Sequence, residues 1–422
     1  MNRRNFLNSS ATGLAAFSWM TPMADLLAAN TQNPRNKKQG ARPKSVILLW
    51  LAGGPSQLET FDPHPDSATS FGSQAISTTV KGLQLGAGLE QTAEVMQDVT
   101  LLRSVISKEG DHERASYNIK TGYRPNPTVI HPSIGAILCH QLPQPKMEIP
   151  THISILPNQW PARGGYMGAK FDAFQMGDPR QAVPDVNSYA NEQRQTQRKK
   201  GLSIVESTFL KGRMAQLDSQ KTFHRQSMAN ARRLMASDQL KAFDVSEAPK
   251  EERLAYGDTR FGRACFAAVR LVEAGVRCIE VTLTGWDTHV NNHENQGKRI
   301  KTLDPAFAAL IKDLKRRELL DDTIVLCGGE FGRTPQLNGV EGRDHWPKGF
   351  SMAIAGGGFS GGRTIGATDP SGEKESPVNP VRVQDIHATI QHKMGLDFEQ
   401  ELITPVGRPI ALSEGNLIQE LL

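Results

Sequence analysis

Residues Ser45 to Ala52, SVILLWLA, form a near-continuous apolar run that stops at Gly53-Gly54-Pro55. A strand with one wet face alternates apolar and polar residues. A run that is apolar throughout has both faces covered. The run therefore reads as a buried parallel strand, which requires helices on each side of its sheet. The pattern recurs. Val99 to Ser104, Val276 to Leu283, Thr323 to Cys327 and Phe350 to Ala355 are further strands. Helical patterns lie between them. Ala115 to Lys120 is stopped by Gly122, and Ile134 to Gln141 is opened by His131-Pro132-Ser133. Phe261 to Ala274 is stopped by Gly275, Leu303 to Arg317 is amphipathic, and a late helix starts at Val383. The expected fold is α/β: one domain over 45–422, with a mainly parallel central sheet and helices on both faces.

Three stretches stand apart from this pattern. Arg3-Arg4-Asn5-Phe6-Leu7 precedes a weakly apolar segment, Ala11 to Ala29. It reads as a twin-arginine signal peptide over 1–29, and export to the periplasm or beyond is the expectation. Pro22 and Asp25 make it a poor membrane anchor. Residues 30–44 are polar and basic, a flexible lead-in. Residues 181–250 are rich in Gln, Arg, Lys, Ser and Asn, with Phe209, Leu210, Met214 and Leu217 at helical spacing. They read as a helical insertion with a solvated face. The net charge of +5 comes without a basic stripe interleaved with aromatics, which argues against nucleic acid as a partner. Cys139, Cys265, Cys278 and Cys327 are widely spaced in apolar surroundings and read as buried free thiols.

In open α/β sheets, ligands bind at the carboxyl ends of the strands. The first strand ends near Ser56, Glu59 and Asp62. Ser56 is a candidate nucleophile, although a serine after Gly-Pro is more often a turn or cap residue. Asp111 and His112 stand at the start of a helix, where either can act as nucleophile or base. The Val276–Leu283 strand runs into Asp287 and His289, and the Thr323–Cys327 strand into Gly328-Gly329-Glu330 and Arg333. Asp344-His345 follows in the next loop. Asp287 and Glu330 follow parallel strands joined by one helix, so both belong to the same edge. Asp287, His289, Glu330, Asp344 and His345 make a carboxylate–imidazole set suited to a divalent metal, zinc or manganese foremost. The planar fork of Arg333 suits an oxyanion. His293 and His387 read as structural histidines.

The order of these features resembles the alkaline phosphatase/sulfatase superfamily. The segments GGPSQLETFDP, RASYNIKTGYRP, GWDTHVNNH, GGEFGRTP, GRDHWP and VQDIHATI closely resemble the DUF1501 family of exported proteins. The superfamily resemblance implies an alkaline phosphatase-like domain and metal-dependent hydrolysis of a phosphate or sulfate ester. The substrate it implies is a small anionic ester or a polysaccharide-derived one. The sequence also departs from that pattern. Gly53 and Gly54 stand where sulfatases carry acidic ligands, and Phe331 stands where the superfamily has a histidine. No cysteine occupies the setting of a sulfatase nucleophile. These losses favour an alternative, a binding protein on a hydrolase-like scaffold. A protein partner in an exported complex is a third reading, resting on the helical insertion.

Overall fold

The computed structural model describes residues 44–181, 183, 186, 190–209, 224–372, 374 and 376–422. The expected signal peptide, all but the last residue of the lead-in, and Leu210, Met214 and Leu217 lie outside them.

Nine strands form one sheet. They are β1 Ser45–Ala52, β2 Val99–Ile106, β3 His152–Ile155, β4 Phe174–Met176 and β5 Cys278–Thr284. After these come β6 Thr323–Gly328, β7 Phe350–Gly356, β8 Arg363–Ile365 and β9 Val381–Arg382. The order across the sheet is β8-β2-β7-β6-β1-β5-β3-β4, with β9 also paired to β2. Every pairing is parallel except those of β7, which runs antiparallel to both β6 and β2. Strands before residue 181 and after residue 250 therefore share a single sheet. β1 sits in its middle, between β5 and β6.

The five principal helices are α1 His112–Thr121, α2 Ile134–Gln141, α3 Arg260–Glu273, α4 Asn292–Arg316 and α5 Val383–Lys393. Side chains alternate along β1 as the pleat requires. Ile47, Leu49 and Leu51 join a core with Phe266 of α3 and Leu310 of α4. Val46, Leu48 and Trp50 join a second core with Ile119 of α1, Leu138 of α2 and Ile386 of α5. Both faces are thus covered. Within the insertion, Glu192–Phe209 and His224–Met235 are helical. All four cysteines are free and buried. No helix among the described residues is long and apolar enough to cross a membrane.

α4 begins at Asn292, well before the expected Leu303. Asn292, Gln296, Ile300, Leu303 and Phe307 are all buried, and they recur every three to four residues. The first two are amides and break a purely apolar count. They face inward because the interior supplies partners: Gln296 Oε1 accepts from the Ser56 N–H at 3.1 Å, and its Nε2 donates to Thr288 Oγ1 at 3.0 Å.

Leu49 is fully buried in the central strand, whereas Leu254 is 50 % exposed. Leu49→Ala is expected to lower unfolding free energy by about 3 kcal/mol, through lost burial plus a residual cavity. Leu254→Ala is expected to change it by less than about 0.5 kcal/mol. Denaturant titration of both variants checks the contrast.

Candidate metal centre

The carboxyl ends of β1, β5 and β6 open onto three loops, and one buried side chain ties the loops together. Arg333 lies four residues beyond Gly329, in a two-residue strand Gly332–Arg333 paired antiparallel with His345–Trp346. Its guanidinium has 0 % exposure. Nε donates to the Gly54 carbonyl at 2.9 Å, and Nη1 donates to the Arg343 carbonyl at 3.0 Å. Nη2 donates to the Gly53 carbonyl, to the Trp286 carbonyl at 3.2 Å and to Asp287 Oδ1 at 2.7 Å. The oxyanion role expected for Arg333 is therefore corrected. Its donors are engaged by the protein and none faces solvent.

Gly53 makes this close approach possible. Its φ is +117°, and a Cβ there meets the Asp287 amide nitrogen at 2.4 Å. Only glycine lets the β1 and β5 loops touch at this point. Gly342 does the same for the last loop, where a Cβ meets the His289 carbonyl oxygen at 1.8 Å.

Asp287 is the hub of the exposed part. His112 Nε2 lies 3.2 Å from its Oδ2, while His289 Nε2 and His345 Nε2 lie 3.1 and 3.4 Å from its Oδ1. Each imidazole is held from behind. His112 Nδ1 is 2.8 Å from Glu330 Oε1, His289 Nδ1 is 2.8 Å from Asp344 Oδ1, and His345 Nδ1 is 2.7 Å from the Gly110 carbonyl. All three of these partners are acceptors, so each Nδ1 is the donor, and each ring in its neutral form turns a bare Nε2 inward. His289 Nε2 and His345 Nε2 then stand 3.0 Å apart. Two lone pairs at that distance repel unless a cation lies against them. One ligand atom each from His112, Asp287 and His345 fall within 4.8 Å of one another. An imidazole–carboxylate donor set of this kind fits zinc or a similar divalent ion.

Several expected site residues take other places. Glu330 is 1 % exposed, and its Oε1 accepts from the Gly53 N–H at 2.9 Å as well as from His112. It orients His112 rather than facing the centre through that oxygen. Asp344 likewise orients His289, and Asn338 Nδ2 supports it at 3.4 Å. Asp111 is the N-cap of α1, its carboxylate accepting from the Arg114 N–H at 3.1 Å. Ser56 is 0 % exposed, enclosed beneath the first loop, and is not open to a ligand. Glu59 and Asp62 are paired with Arg343 at 3.2 Å and Arg103 at 3.3 Å. His293 pairs with Glu59, and His387 donates to the Ile119 carbonyl at 2.7 Å, so both are structural. Phe331 cannot ligate, but its fully buried ring stacks on His345 at 4.2 Å and lies 5.0 Å from His112. It is the apolar floor of the centre.

The electrostatics follow from this packing. Hydrogen bonds to Asp287 and then Glu330 push the His112 imidazole up to about 9. Burial works to raise the Asp287 carboxyl, but hydrogen bonds from His112, His345 and Arg333 hold it well below the usual carboxylate range. The hydrogen bond from His289 lowers Asp344.

Metal ligation requires the neutral imidazole. Below about 9, a metal must displace a proton from His112. Zinc affinity is therefore expected to rise with pH by up to about tenfold per unit until that point, releasing a proton on binding. Calorimetry in buffers of different ionisation enthalpy reads this directly. Glu330→Gln removes the charge behind His112 and is expected to weaken zinc binding by about 10- to 100-fold.

The family model described as "Protein of unknown function (DUF1501)" matches residues 43–422. No curated protein matches the chain. Among solved structures, the PsFucS1 sulfatase from Pseudoalteromonas sp. is 13 % identical, with 90 % of this chain and 73 % of that one covered, at a TM-score of 0.40. The lipoteichoic acid synthase LtaP from Listeria monocytogenes is 9 % identical over 90 % of this chain and 77 % of its own, at 0.43. The alkaline phosphatase from the Antarctic bacterium TAB5 is 12 % identical over 85 % and 100 %, at 0.38. Likeness at this level says nothing about chemistry.

Proposed function

We propose, for a chain that belongs to the DUF1501 family, that it is a metal-dependent hydrolase of a phosphate or sulfate ester. One observation carries the reading: the inward-facing Nε2 atoms of His289 and His345, 3.0 Å apart beside Asp287. With both rings neutral, that geometry calls for a cation against the two nitrogens. A bound divalent ion supplies Lewis acidity toward an ester oxygen and acidifies water. The protein contributes the rest. Asp344, Glu330 and the Gly110 carbonyl fix the three rings, Phe331 packs beneath those of His112 and His345, and Arg333 holds Asp287 in place. The order of strand-end features, which resembles the alkaline phosphatase/sulfatase pattern, supports an anionic ester, small or polysaccharide-derived, as the substrate class.

The enclosure of Ser56 and the engagement of Arg333 favour a second reading, a protein that binds an anionic ligand at the metal without turning it over. Turnover separates the two. Protein loaded with zinc or manganese is expected to hydrolyse members of a phosphate and sulfate ester panel. Chelation or His345→Ala is expected to reduce the rate by at least about 100-fold. Full metal occupancy with no hydrolysis across the panel would leave only the binding reading.

We also propose that the protein is exported by the twin-arginine route, which carries folded chains and so permits metal loading beforehand. Replacing Arg3 and Arg4 by lysine is expected to retain the precursor in the cytoplasm, read by fractionation. Unchanged export would rule the route out.

A further inference from the structure

One buried ion pair has no place in the chemistry above. Lys120 of α1 and Glu280 of β5 are 4 % and 2 % exposed, and Nζ donates to Glu280 Oε1 at 2.9 Å. Ser154 Oγ donates to the same oxygen at 3.1 Å. Nζ also donates to the Trp160 carbonyl at 2.7 Å and lies 5.0 Å from the centroid of the Trp50 ring. Burying two charges in this way is costly. An apolar pair of similar volume is often as stabilising or more so. Stability is therefore a poor account of why this pair is here.

Its position suggests another account. Lys120 lies two turns along α1 from His112, the helix's first residue. Glu280 lies in β5, whose exit loop carries Asp287. Trp160 places its ring near-parallel to that of His112, at 14° and 6.2 Å between centroids. The pair thus joins three elements that meet at the centre: the helix bearing His112, the strand leading to Asp287, and the loop bearing Trp160. A second contact reinforces it. His387 of α5 donates to the Ile119 carbonyl at 2.7 Å, one residue before Lys120. Glu280 Oε2 and His387 Nδ1 are buried without partners. Both residues line one narrow cavity of about 30 Å³ beneath α1. Both atoms are acceptors, because His387 Nε2 is the donor to Ile119.

We propose that Lys120 and Glu280 are positioning residues for the metal centre. The pair sets the placement of α1 over the sheet, hence the reach of His112 toward Asp287, and it holds Trp160 beside His112. This rests on the reading of the centre as a metal site.

The test uses the double variant Lys120→Met/Glu280→Leu, in which an apolar pair replaces the charges. Three quantities are read: thermal melting, the His112 Cε1–H resonance of the metal-free protein labelled with ε1-13C histidine, and zinc affinity. His112→Gln identifies the resonance. Melting close to wild type, a displaced His112 resonance and zinc affinity lowered at least about tenfold are expected. A folded double variant with His112 resonance and zinc affinity both as in wild type overturns the proposal. If the double variant does not fold, Glu280→Gln decides in its place. It keeps an oxygen for Lys120 and lacks the charge, and a smaller displacement of the same resonance is expected. An unmoved resonance there overturns the proposal as well. Wild-type protein that binds no divalent metal refutes the metal reading separately, because the resonance of the metal-free protein still decides whether the pair positions His112.

Discussion

The guanidinium of Arg333 is the interaction on which the site depends. It is fully buried, and a buried charge without partners is prohibitively unfavourable. Four backbone carbonyls and one carboxylate meet it, and they come from the loops that follow β1, β5 and β6. The loops can converge because the cation attracts carbonyl oxygens that would otherwise repel one another. Gly53 then gives the backbone the room to come that close. The sheet brings three strand ends to one edge, and Arg333 turns three loops into a single rigid rim.

Asp287 shows how this rim becomes a centre. One of its oxygens is held by Arg333, and the same carboxylate faces His112, His289 and His345. The three rings come from separate segments, the first residue of α1, the loop after β5 and the short strand His345–Trp346, and each is aimed by a different acceptor. One acceptor is the buried Glu330, one the exposed Asp344 and one a backbone carbonyl. That division matters electrostatically. Glu330 adds a buried negative charge, which strengthens its hold on His112. Asp344 sits in solvent, where its hold on His289 is screened.

Much of the fold was legible from residue pattern, and the reasons are local. The unbroken apolar run of β1 requires cover on both faces, and α3 and α4 supply it on one face and α1, α2 and α5 on the other. The start of α4 was not legible, because Asn292 and Gln296 are polar by composition and buried by partnership. The site was legible as an edge and as a set of residue types. Asp287, His289 and His345 are brought together there. Glu330 and Asp344 lie one hydrogen bond further out, and His112 takes a place among the rings.

What the sequence by itself determined is which residues could meet, because strand direction sends the ends of β1, β5 and β6 to one edge whatever the loops do. Only the tertiary structure decided what each residue does there. Arg333 and Ser56 have the chemistry of a clamp and a nucleophile, yet enclosure gives the first a scaffolding part and leaves the second out of reach. A side chain's reactivity is set by its solvent access and by the partners already holding its polar atoms. Those partners, such as the Gly53 and Trp286 carbonyls for Arg333 or the Gly110 carbonyl for His345, are backbone groups present in every residue. A backbone carbonyl leaves no mark in a sequence, so its role appears only once the chain has folded.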